Sequence, residues 1–86
     1  MRNDNEEIWM AIENLLEEIR IMQEKALIEY ARRIVPNLTS DDLLQPNDYP
    51  ELENNPNFRY EEGVFSGIQS IQMAIRSLKQ DFASLR

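Results

Sequence analysis

Gly63-Val64-Phe65-Ser66-Gly67-Ile68-Gln69-Ser70-Ile71-Gln72-Met73-Ala74-Ile75-Arg76-Ser77-Leu78-Lys79-Gln80-Asp81-Phe82-Ala83-Ser84-Leu85 is the stretch that decides the fold. Its apolar residues fall at Val64, Ile68, Ile71, Ile75, Leu78, Phe82 and Leu85, in alternating steps of four and three. That spacing keeps one edge of an α-helix turned toward a partner. One position back runs a second stripe in the same rhythm, made of Gly63, Gly67, Ser70, Ala74 and Ser77. Its side chains are small enough to let another backbone come close.

Working back toward the N-terminus, residues 5–35 repeat the pattern. Ile8, Ile12, Leu15, Ile19, Met22 and Ala26 hold the four–three spacing, with no Gly or Pro among them. Trp9, Leu16 and Tyr30 form a flank beside that seam, interrupted by Gln23 at the same seven-residue period. The apolar face is wider than a two-stranded seam requires, which implies burial against more than one neighbour. Asn3, Asp4 and Asn5 are candidate N-caps, and Glu6 and Glu7 suit the positive end of the helix dipole. Pro36 sets the stop, because it disfavours helical geometry at Val35 and has no N–H to donate. The helix should be roughly 45 Å long.

Residues 36–57 connect it to a second helix over about residues 59–84, with Asn57 as the expected N-cap and Phe58 and Tyr60 stapling its start. All four prolines lie in the connector. A flexible tether would be poor in large apolar residues. This segment carries Leu38, Leu43, Leu44, Tyr49 and Leu52, so it is read as an ordered, proline-rich loop lying against the helices. Within it, Thr39-Ser40-Asp41-Asp42-Leu43-Leu44 reads as a capped helical turn, with Asp42 three residues after Thr39.

The expected architecture is therefore all-α. Residues 1–86 form a single helical hairpin of two long antiparallel helices. Folding back in a register where paired positions sum to about 95 brings Ile8 to Leu85 and Leu27 to Ile68. It also places Leu15, Ile19 and Met22 opposite Ile71, Ile75 and Leu78. Such a hairpin leaves apolar surface over, including Trp9, Leu16, Phe65 and Met73. The simplest way to cover it is dimerisation into a four-helix bundle. The residues expected to carry helix packing and self-association are Trp9, Ile12, Leu16 and Ile19 on the first helix. On the second they are Gly63, Gly67, Ile68, Ile71, Ala74, Ile75 and Leu78. The Gly63–Gly67 pair has two readings. It either permits a close helix–helix contact across a dimer, or it relieves crowding beneath the connector where Tyr49 or Leu52 would pack.

Charge narrows the function. The net charge is −7. Residues 36–62 hold seven acids against Arg59 alone, while residues 63–86 hold one acid against three bases. Binding to nucleic acid or to an anionic membrane surface is disfavoured by this balance. No run approaches the ~18 apolar residues of a membrane span, and the first seven residues do not resemble a secretory signal. A cytoplasmic protein is the expectation.

Catalytic constellations are missing as well. With no His and no Cys, neither a Ser-His-Asp nor a Cys-His arrangement can form, and thiolate and imidazole metal sites are excluded. Glu13, Glu17 and Glu24 share a helical face with Arg20 and read as a solvated charged face rather than a carboxylate metal cluster. The acids between Asp41 and Glu53 lack the spacing and the glycine of a calcium loop. No cofactor and no enzymatic activity are expected. The remaining candidate surface is the acidic connector, where Leu43, Leu44, Asp48, Tyr49 and Leu52 could receive a basic partner. Alternatively, those apolar residues simply cover the hairpin core. The function expected is a non-enzymatic assembly module that pairs with itself or with another helical protein. The alternative is a small obligate subunit, chaperone or adaptor of a larger partner.

Overall fold

The computed structural model describes residues 4–84. Two long helices dominate it: α1, Asp4–Ile34, and α3, Pro56–Ser84, run antiparallel and pack along their length. Between them stand a 3-10 turn at Asp41–Leu44, a second at Pro46–Asp48 and a single-turn α2 at Pro50–Glu53. The molecule measures 52 × 19 × 19 Å.

The connector is thus a string of helical turns rather than a loop. Proline explains where each turn begins. Pro46, Pro50 and Pro56 each stand at the start of an element, where the missing N–H would have had no partner and the fixed φ is already helical. The turn expected at Thr39–Leu44 is present. Thr39 N–H donates to Asp42 Oδ2 at 2.9 Å, and Asp42 N–H donates to Thr39 Oγ1 at 3.3 Å, a reciprocal capping box. The bond from the Thr39 N–H holds the Asp42 carboxyl below its usual range.

α3 starts at Pro56, not Arg59, and its cap is Asn55, not Asn57. Asn55 Oδ1 accepts the Phe58 N–H at 2.9 Å, and its carbonyl accepts the Arg59 N–H at 3.0 Å. This earlier start corrects the register. Trp9 meets Phe82, Glu13 meets Lys79 and Glu17 meets Gln72. A sum of 95 would have placed Leu78 opposite Glu17. Because α3 gains nearly a turn at its N-terminus, it stands about one turn further from the connector along α1. The expected Ile8–Leu85 pair and the Asn3 cap lie outside the described residues.

The core sits at the connector end. Leu27, Ala31, Leu38, Leu52 and Phe58 are buried, and Tyr30, Ile34, Val35, Leu43, Tyr49 and Phe65 pack against them. Arg32 Nε closes the turn after α1 by donating to the Leu38 carbonyl at 2.9 Å. Burying a large side chain contributes roughly 1.5–3 kcal/mol, so this cluster ties the connector to both helices. Leu52 is completely buried, and Leu43 and Tyr49 are half-buried against the same cluster. Leu52 is therefore closed to a partner, while Leu43 and Tyr49 keep part of their surface open. Of the expected partner surface, Leu44 (77% exposed) and Asp48 remain open.

Candidate functional site

Along the rest of the hairpin, the residues facing the other helix are not the most apolar ones. On α1 the half-buried inner row is Trp9, Glu13, Leu16, Arg20 and Gln23, leading into buried Leu27. On α3 it is Glu61, Phe65, Ile68, Gln72 and Ile75, continued by Lys79 and Phe82 at the open end. Trp9 and Phe82 lie with ring centroids 5.9 Å apart. Polar members of the rows pair across the gap. Lys79 Nζ donates to Glu13 at 2.8 Å, Gln72 Nε2 to Glu17 at 2.9 Å and Gln23 Nε2 to the Glu61 carboxylate at 2.7 Å.

Trp9 and Leu16, expected to be left over, are therefore inside the hairpin, and Phe65 joins its core. Conversely, the expected inner columns Ile8–Leu15–Met22 and Ile71–Leu78 face solvent, with Leu15 56%, Met22 71% and Ile71 53% exposed. Ile68 and Ile75 do face α1, and Ile12 and Ile19 stand between the inner row and the open face. Both helices are rotated by about one residue from the expected orientation. The signal that could have revealed this is the set of polar residues Glu13, Gln23, Gln72 and Lys79, which find partners on the other helix only when turned toward it.

The rotation has a consequence for shape. Counting 100° per residue, the column Ile8, Ile12, Leu15, Ile19, Met22 lies about a quarter-turn from the inner row of α1. Val64, Ile71 and Leu78 lie a quarter-turn to the same hand on α3. In antiparallel helices, flanks of the same hand fall on the same side of the pair, so the two columns merge into one face. The opposite side mixes charged groups with the exposed Met10, Ile21 and Met73. There Arg20 bridges Glu17 and Glu24, Arg59 pairs with Glu62, and Glu13, Leu16, Glu17, Gln72 and Arg76 line a polar cleft of about 200 Å³. The Arg20 hydrogen bond, helped by Gln72, pulls the Glu17 carboxyl down to about 2. Apolar side chains thus run unbroken along one side of the hairpin and are interrupted by charged groups on the other.

Beyond the apolar columns, α3 carries Gly63, Gly67 and Ala74, all exposed. A Cβ added at either glycine would meet nothing within 4 Å. The glycines therefore neither relieve crowding beneath the connector nor admit α1. Residues 63–75 contain no charged side chain at all, so this part of α3 is uncharged even where it faces away from α1.

Among the described residues no three metal-ligating side chains converge, and no helix is long and apolar enough to cross a membrane. No known family model, curated protein or solved structure matches this chain.

Proposed function

We propose that the protein is a non-enzymatic assembly module of the cytoplasm that dimerises through the apolar face of its hairpin, forming a four-helix bundle. One observation carries the reading. Ile8, Leu15, Ile19, Met22, Ile71, Leu78 and Phe82 leave between 39% and 71% of their surface open. At roughly 190 Å² for a fully exposed side chain of this size, they offer about 700 Å² of apolar area. A standard stable interface takes about 800 Å² from each partner, while patches on monomers rarely exceed a few hundred. The neighbouring residues that would be covered with them complete the area. Because the apolar columns run unbroken on this side, while Met10, Ile21 and Met73 stand singly among charged groups on the other, the face suits a single mate of like shape, and a second copy has one.

Sedimentation equilibrium across the micromolar range tests this. The expected mass is twice 10.2 kDa. Leu15→Glu combined with Leu78→Glu should return a monomer that keeps its helicity, because both side chains face solvent rather than the seam between α1 and α3. A wild-type chain that stays monomeric throughout would overturn the proposal. Aggregation of the isolated chain, relieved only by a different protein, would point instead to an obligate subunit or adaptor.

A further inference from the structure

Resting on that dimer, we infer that the two copies pack with their connectors at the same end, α1 of each lying on α3 of the other. Two symmetric arrangements can bring the apolar faces together. A twofold axis parallel to the helices keeps every residue at its own height and sets α1 against the partner's α3. An axis across the helices sets α1 against α1 and α3 against α3, with connectors at opposite ends.

The register inside one hairpin decides between them. With Trp9 level with Phe82 and Glu13 with Lys79, Ile12 stands level with Leu78 and Ile19 with Ile71. These four supply the middle of the bundle in the same-end arrangement. On the outer edge, Leu15 stands level with Ala74, and Met22, between the levels set by Glu17–Gln72 and Gln23–Glu61, stands opposite the Gly63–Gly67 turn. Each large exposed side chain of α1 thus meets a small residue of the partner's α3, the alternation that fills space without voids or strain. The opposite-end arrangement, centred on the α1 patch, opposes Leu15 with Leu15 and Ile8 with Met22. It also lays Ala74 against Ala74. One helix pair would be wedged apart while the other left a gap.

The chain has no cysteine, so thiols can be placed at will. Two double variants separate the arrangements when treated with a short bifunctional maleimide. Met22→Cys with Gly67→Cys should give a covalent dimer in high yield, and Ile8→Cys with Met22→Cys should give little. Within one chain Met22 and Gly67 sit on outer edges of different helices, so the product is intermolecular. The reverse pattern, or a sedimenting dimer that neither variant traps, would overturn the orientation and leave the dimer standing. A monomer by sedimentation would overturn both. Met22 is 71% exposed and Gly67 faces open space, so neither substitution disturbs the hairpin. Gly67→Leu supplies a second reading. It should weaken dimerisation at least tenfold by meeting the partner's Met22, with the monomer's helicity unchanged, and unaltered affinity would count against the same-end contact.

Discussion

Replacing Gly63 by alanine should stabilise this protein. Gly63 lies within α3, about two turns past its start, and its φ is not positive. Nothing in its backbone conformation requires glycine. Nor does its surroundings, since an added Cβ meets no atom within 4 Å. What remains is the intrinsic cost of glycine in a helix, about 0.8–1 kcal/mol relative to alanine. Part of that gain comes from the unfolded chain, which loses conformational freedom when the Cβ is added.

For a domain of this length, 1 kcal/mol moves the melting temperature by about 4–8 °C. Thermal unfolding of Gly63→Ala followed by circular dichroism should therefore show a rise in that range at matched protein concentration. Urea unfolding should show a higher midpoint with the slope unchanged. Gly63 points away from α1 and an alanine methyl is a small addition, so the gain should appear in the monomeric Leu15→Glu/Leu78→Glu variant as well as in the wild type. A loss of stability would refute the reasoning. It would mean that a backbone does approach Gly63, as a close-contact reading of the Gly-x-x-x-Gly spacing supposes, and that the open side of α3 is covered in a way this register does not allow.

The remaining tests address the connector and the charged side. Leu52→Ala should cost about 2–5 kcal/mol, because the buried leucine joins the connector to both helices, and chemical denaturation would register it. Asn55→Ala should cost about 0.5–2 kcal/mol through the lost cap on Phe58 N–H, whereas Asn57→Ala should change the melting temperature little. Glu17, held down by Arg20 and Gln72, should titrate near 2 in an NMR pH series. Its folded pKa lies below its unfolded one, so its favourable contribution is present above the ordinary carboxylate range and fades as pH falls from about 4.5 toward 2. Arg20→Gln should return that titration toward the ordinary value, and a Glu17 that titrates normally in the wild type would remove the ion pair from the account.

The two long helices were legible because heptad spacing and the absence of Gly and Pro over residues 5–35 leave little else for the chain to do. The capping box at Thr39–Asp42 was legible for the same local reason. The start of α3 differs from the expected one because Pro56 counts with the connector's prolines by composition, whereas a proline preceded by Asn55 is a strong signal for a helix beginning. The rotation of the helices was harder to see. Hydrophobic periodicity reports which side of a helix avoids water, not which neighbour covers it. Ile8, Leu15 and Met22 avoid water most strongly, yet inside one chain the α1–α3 contact goes to Trp9, Glu13, Leu16 and Gln23. The connector core fixes the angle at which the helices leave it, and the polar pairs Glu13–Lys79 and Gln23–Glu61 satisfy that angle. The candidate face could be located only once that angle was known.

The placement of the core argues that folding and assembly are coupled. Among the described residues, every buried side chain belongs to the connector end, between Leu27 and Phe58. Beyond Gln23 toward the open end, the hairpin is held by half-buried apolar contacts and by exposed pairs such as Glu13–Lys79. Such pairs are typically worth under about 1 kcal/mol each. Regions with few buried contacts open at lower free energy than the global transition. The apolar face lies over this same weakly held half, so a partner that covers it supplies the burial that the hairpin alone lacks. Amide hydrogen exchange should therefore be graded in the monomeric Leu15→Glu/Leu78→Glu variant. Protection should be strongest near Leu27, Leu52 and Phe58, and weakest over residues 8–19 and 71–82. In the wild-type dimer the protection of those outer segments should rise toward that of the core. Equal protection along both helices in the monomeric variant would mean that the polar seam is far stronger than its exposure allows.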